Sequence, residues 1–138
     1  MFKLIMTANE AAELASIPGI STLQGPNSAM NGTAIIIDGG GIERHYNVGF
    51  RNRGHGSRTA NPPNYRIEFR DDDRWKNVQA INLNSQYVHA QHLGSVLARK
   101  AGVAGANTYA AQVRVNNVNR AVSGQPMFSS YEIGRAHV

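Results

Sequence analysis

The stretch Thr33-Ala34-Ile35-Ile36-Ile37-Asp38-Gly39-Gly40-Gly41-Ile42 constrains the fold more than any other part of the chain. A β-branched run meets three consecutive glycines, and a second strand-like run from Ile42 to Phe50 follows. Glycine accepts the positive φ of a tight reversal without a Cβ clash. The spacing therefore predicts an antiparallel hairpin over 33–50. Asn64 to Phe69 alternates Tyr65, Ile67 and Phe69 against Arg66 and Glu68, which predicts a further half-buried strand.

The remaining elements follow from local signals. Phe2 to Met6 reads as a strand, and Thr7-Ala8-Asn9-Glu10 is a capping-box pattern. A short helix is expected to Ser16, with Ala11, Leu14 and Ala15 inward, ended by Pro18-Gly19. Residues 19–31 and 51–62 read as loops. Ser85 or Asn84 is expected to cap the longest helix, 85–101, which Gly102 stops. Val88, His92, Leu93, Val96, Leu97 and Lys100 share one broad face of it. Tyr109 to Val115 reads as a strand, Asn116-Asn117 as a turn, and another strand starts near Arg120. The expected class is α+β: a mostly antiparallel sheet with one long packed helix.

Composition narrows the function. The 138 residues suit one compact domain, and 41% hydrophobic content supports a core. The absence of cysteine excludes disulfides and cysteine-based zinc sites. No apolar run approaches the roughly 20 residues of a membrane span. Met1 to Met6 is too short for a signal peptide. A signal lost upstream would leave the compartment open, cell surface and secretion included. The net charge of +5 favours phosphates or other anions, or gives a basic surface without a specific partner.

The final residues, Ile133-Gly134-Arg135-Ala136-His137-Val138, are what ATC GGA AGA GCA CAC GTC, a string within a common sequencing adapter, would encode; an ordinary polar tail is the other reading. The expectation is a partial domain over 1–131 and a non-native tail over 132–138, with 133–138 outside the sheet.

The richest chemistry lies in Arg51-Asn52-Arg53-Gly54-His55-Gly56-Ser57-Arg58 and the following Arg66. Glycines let backbone N–H groups turn towards an anion. Guanidiniums add forked, permanently charged donors, and the Ser57 hydroxyl adds one more. Arg53, Gly54, Gly56, Ser57, Arg58 and Arg66 are thus candidates for a phosphate cradle; the same loop also suits a solvated hairpin. His89 and His92 have helical zinc spacing without an evident third ligand. Asp71, Asp72 and Asp73 lack the spacing of a calcium loop. Trp75, between Arg74 and Lys76, could stack on a base or anchor a loop. No catalytic constellation can be assembled.

The order Arg53-Gly54-His55-Gly56-Ser57-Arg58, then Tyr65-Arg66-Ile67-Glu68-Phe69, resembles the hallmark of CotH-like (spore coat protein H-like) atypical protein kinases. The resemblance continues through Trp75-Lys76, Ala80 to Asn84, His89 to Gly102 and Val113 to Asn116, so it spans roughly residues 2–131. It implies a kinase-like fold that uses ATP and a divalent metal, Mg or Mn, to phosphorylate protein Ser or Thr. Arg53, Arg58 and Arg66 would position and neutralise phosphates. Two features depart from the pattern: Pro62-Pro63 stands where many members carry lysines, and no acidic residue lies between Ser85 and Gly102. The family's acidic metal and base residues are expected beyond Tyr131, so this chain is expected to be inactive by itself. The implied partners are a nucleotide and an unspecified protein substrate, without nucleic acid. The rival readings are a non-catalytic surface or polyanion-binding module, and a small domain whose arginines contact other subunits.

Overall fold

The computed structural model describes residues 1–17, 28–54, 61–120 and 131–135, the last as backbone. Among these residues β1 is Phe2–Ile5, α1 Ala8–Ser16, β2 Met30–Asp38, β3 Gly41–Asn52, β4 Tyr65–Glu68 and β5 Ala80–Asn84. Then come α2 Val88–Lys100, β6 Ala110–Ala111, β7 Val113–Val115, β8 Val118–Asn119 and β9 Tyr131–Arg135. All strands join one sheet in the order β6-β9-β5-β4-β3-β2-β1-β7-β8. Every pairing is antiparallel except β1 with β7. The fold is therefore mixed α and β with an antiparallel-dominated sheet.

That order conceals a closure. β6 and β7 are separated by Gln112 alone, yet β6 pairs with β9 and β7 pairs with β1. One segment, 110–115, borders both ends of the sheet, so the sheet curls back on itself. Strand alternation then sorts side chains into an inner and an outer set. Phe2 and Leu4, Ala34 and Ile36, Val48 and Phe50, Ile67, Ile81 and Leu83, and Val113 are all buried inward.

The predicted hairpin 33–50 forms, with Asp38 opposite Gly41. It contains a bulge: Gly32 faces Val48 while Ala34 faces His45, one extra residue on β3. Asn47 takes the left-handed conformation there, with φ 54°. The bulge turns both His45 and Val48 inward although they are three apart. His45 Nδ1 lies 3.1 Å from Asp73 Oδ1, and its ring meets Phe69 edge-on at 5.1 Å.

The capping box at Thr7 is present. Thr7 Oγ1 accepts from the Glu10 amide at 3.2 Å, and Glu10 Oε2 accepts from the Thr7 amide at 3.0 Å. Leu14 buries itself in the core, Ala11 is half-buried and Ala15 is exposed. The Leu14 carbonyl accepts from buried Asn52 Nδ2 at 2.8 Å, which fastens α1 to the end of β3.

The long helix differs from expectation. It starts at Val88, after Tyr87 in a left-handed conformation, and no side chain caps it. Ser85 instead donates its amide to Asn64 Oδ1 and its hydroxyl to the Pro62 carbonyl. Of the apolar face, Val88 is buried and Val96 half-buried, while Leu93 and Leu97 are 59% and 57% exposed. The trailing segment folds back on the helix beside His92, Ser95, Ala98 and Arg99. Thr108 Oγ1 sits 2.9 Å from His92 Nδ1, Asn107 accepts from Arg99, and a Cβ at Gly105 would press on Ser95 O and Ala98.

The expected strand 109–115 is broken at Gln112, as the closure requires. The Asn116-Asn117 turn forms with φ 46° and 66°. Residues 133–135 pair with β5 as part of β9, which corrects the expectation that they stay outside the sheet. Backbone pairing needs only an extended segment beside an open edge, and Tyr131 and Ile133 favour extension. Residues 136–138 lie outside the described residues. No described helix is long and apolar enough to cross a membrane.

Gly32, in β2, lies between Ile5 at the end of β1 and the Phe50 ring of β3. A Cβ there would intrude on the Ile5 carbonyl oxygen and the Phe50 ring. Gly32→Ala is expected to cost about 1–3 kcal/mol by overpacking. Denaturant unfolding should register the loss at an unchanged m-value. Wild-type stability would contradict the close approach.

Candidate functional site

The outer face of β3, β4 and β5 gathers the polar side chains of the central strands. Arg51 lies directly opposite Arg66, and Arg66 opposite Asn82. Two guanidiniums converge on one oxygen: Arg66 Nε donates to Glu68 Oε1 at 2.8 Å and Arg51 Nε at 3.1 Å. Arg66 Nη1 also donates to Asn82 Oδ1 at 3.3 Å. Both arginine side chains are 23% exposed, and that of Glu68 is 41% exposed.

Arg53 extends this group beyond the end of β3. Its Nη1 donates to Asn84 Oδ1 at 2.5 Å, and its amide donates to the Asn64 carbonyl at 3.0 Å. Asn84 Nδ2 in turn donates to Gln91 Oε1 in α2 at 3.2 Å. Gly54 has φ 106°, a conformation that side chains resist. The feet of the Gly-Arg loop are thus pinned on both sides, by Arg53 to Asn64 and by Pro62 to Ser85. Gly56, Ser57 and Arg58 fall outside the described residues.

The named charges are three guanidiniums and one carboxylate, joined by neutral amides. Such a set favours an anion, because guanidinium forks match phosphate or carboxylate oxygens. Burial alone would raise the Glu68 carboxyl, but hydrogen bonds and charge from Arg66 and Arg51 outweigh it and hold the group below its ordinary range.

The other sequence candidates are dispersed. Trp75 is 4% exposed and packs edge-on against Phe2 at 5.5 Å, so it belongs to the core. Asp71 pairs with Arg74, Asp72 with Arg70 and Asp73 with His45, each with a separate partner. Among the described residues no three His, Cys, Asp or Glu side chains converge as metal ligands. Sequence reading singled out Arg53 and Arg66 but not Arg51, Glu68, Asn82 or Asn84. The alternation Ala80-Ile81-Asn82-Leu83-Asn84 was the available signal for β5, and the register against β4 does the rest. Neither a protein-family model nor a curated protein matches this chain.

The Glu68 carboxylate predicts a pH dependence. Its folded pKa is depressed, so the stability it contributes is present above its ordinary value near 4.5 and is lost as pH falls through the folded value. Because the side chain is 41% exposed, solvent screening limits the contribution to about 1 kcal/mol or less. Glu68→Gln should therefore be less stable than wild type at pH 7, and the gap should narrow as the pH falls below the ordinary carboxyl value near 4.5. Urea titrations on both sides of that value check it. A gap that did not narrow with acidification would remove the ion pairs as its cause.

Proposed function

We propose that the outer face formed by Arg51, Arg53 and Arg66 binds a phosphate-bearing ligand, with the Gly-Arg loop completing the cradle. One observation carries this reading: three guanidiniums and one carboxylate share a face at the pinned feet of that loop. On the resemblance to CotH-like kinases, the ligand is the nucleotide of a protein kinase acting on Ser or Thr. The guanidiniums and amides suit nucleotide phosphates. They do not suit the divalent metal, because Glu68 is already held by two arginines. On this reading the metal ligands and the catalytic base come from elsewhere, and this chain holds nucleotide without transferring phosphate.

A second reading rests on the net charge of +5 and the outward orientation of the patch: a polyanion lies across the face without catalysis.

Calorimetry with ATP distinguishes the readings. An Arg53→Gln, Arg66→Gln double variant is expected to lose at least about tenfold in ATP affinity, since two charge-assisted donors are removed. Unchanged affinity would take both residues out of the phosphate site. A longer polyphosphate binding in steep preference to ATP would favour the polyanion. Transfer from labelled ATP to a generic protein acceptor should be absent.

A further inference from the structure

A second cationic face lies on the outside of the sheet, over β7, β1, β2 and the first half of β3. Register sets it. Phe2, Leu4, Ala34, Ile36 and Val113 are buried inward, so the residues that alternate with them project outward: Lys3, Ile35, Ile37 and Arg114. Lys3 stands directly opposite Arg114 on one side and Ile35 on the other, and Ile35 stands opposite Arg44. One row therefore reads Arg114, Lys3, Ile35, Arg44 across four strands.

Like charges directly opposite on adjacent strands repel. On the arginine face Glu68 bridges such a pair, but Lys3 and Arg114 have no such bridge. The carboxylates of these strands, Asp38 and Glu43, fall on the opposite parity; Asp38 is held by Lys76, and Glu43 Oε2 lies 3.8 Å from His45 Nε2. Among the described residues the side chains of Lys3 and Arg44 have no hydrogen-bond or ion-pair partner. The same face is apolar between its cations. Ile42 and Tyr46 flank Arg44 on β3 and are 58% and 59% exposed, and Ile35 and Ile37 lie half-buried beside them. The outside of a curled sheet is convex, so Ile42, Arg44 and Tyr46 form a crest.

We propose that this face docks on an anionic lipid surface. Lys3, Arg44 and Arg114 meet the anionic headgroups, and the Ile42 and Tyr46 side chains enter the boundary between headgroups and acyl chains. Such a layer supplies both complements in one plane: negative charge for cations the fold leaves unbridged, and apolar depth for the crest. Tyrosine suits that depth because its ring is apolar and its hydroxyl stays wet. A second copy of the chain does not fit, since it would bring cation to cation.

The test sediments the full chain with phosphatidylcholine vesicles, alone or with about 30% phosphatidylserine. Affinity for the anionic vesicles should be at least about tenfold the higher. A Lys3→Gln, Arg44→Gln variant should lose at least about tenfold of it by charge, and an Ile42→Ser, Tyr46→Ser variant about as much by apolar contact. The Arg53→Gln, Arg66→Gln variant should stay within about twofold of wild type, because its charges lie more than a Debye length away along the sheet. Lys3→Gln alone relieves the repulsion, so its urea midpoint should not fall below that of wild type. Equal binding to both vesicles, no binding to either, or undiminished binding by either face variant would each overturn the proposal. So would a loss through Arg53 and Arg66 as large as that through Lys3 and Arg44, or a lowered midpoint for Lys3→Gln. Poly-glutamate bound as tightly as the anionic vesicles, and insensitive to Ile42→Ser, Tyr46→Ser, would assign the face to a soluble polyanion and overturn it as well.

Discussion

The switch of partner within residues 110–115 is the constraint on which the structure depends. Ala110 and Ala111 pair with β9, Gln112 breaks the run, and Val113 to Val115 pair with β1. A single strand cannot serve two sheet ends unless the sheet curls until those ends meet. Curling gives the sheet an inside and an outside, and the inside is filled by side chains from both faces of the seam, including Phe2, Ile36 and Val113. The bulge at Asn47 serves the same end, because an extra residue on one strand increases its local bend.

Once the inside is committed to apolar packing, the polar partners of each strand are forced outward together. Arg51, Arg66 and Asn82 occupy one row across three strands because they share the outward parity in register. Asn64 and Ser85, both buried, tie the loop after β3 to the segment before α2. That tie gives Arg53 a fixed base beside Asn84. The candidate site is thus a consequence of register and of two buried polar residues.

What was legible in the sequence was local. The glycine turn after Asp38, the Thr7 capping box, the alternation around Ile67 and the Asn116-Asn117 turn each specify their own geometry within a few residues, and each forms. What was illegible depends on distant pairing. Ala80 to Asn84 alternates, but only its place between β4 and β9 makes it a central strand. Trp75, flanked by Arg74 and Lys76, reads as a base-stacking residue or a loop anchor until Phe2 arrives from the far end of the chain to pack on it. The face of α2 suggested contact with the sheet, yet Gly105 to Thr108 takes part of it. Arg66 was visible as a candidate, but its partners were not, since Asn82 reaches it only across a strand pair.

Glu68 explains how a basic face can exist on these strands at all. Arg51 and Arg66 stand directly opposite one another, and like charges so placed repel. A carboxylate two residues along the same strand projects to the same face, because the strand period is two. There it accepts from both guanidiniums through one oxygen and converts a repulsive pair into a bridged triad. The triad keeps an excess of positive charge, and its geometry is set before any ligand arrives. A neutral residue at position 68 would leave the repulsion in place, and a second carboxylate would cancel the attraction for anions. The single glutamate between two arginines is therefore the arrangement that lets a folded sheet present fixed guanidiniums outward.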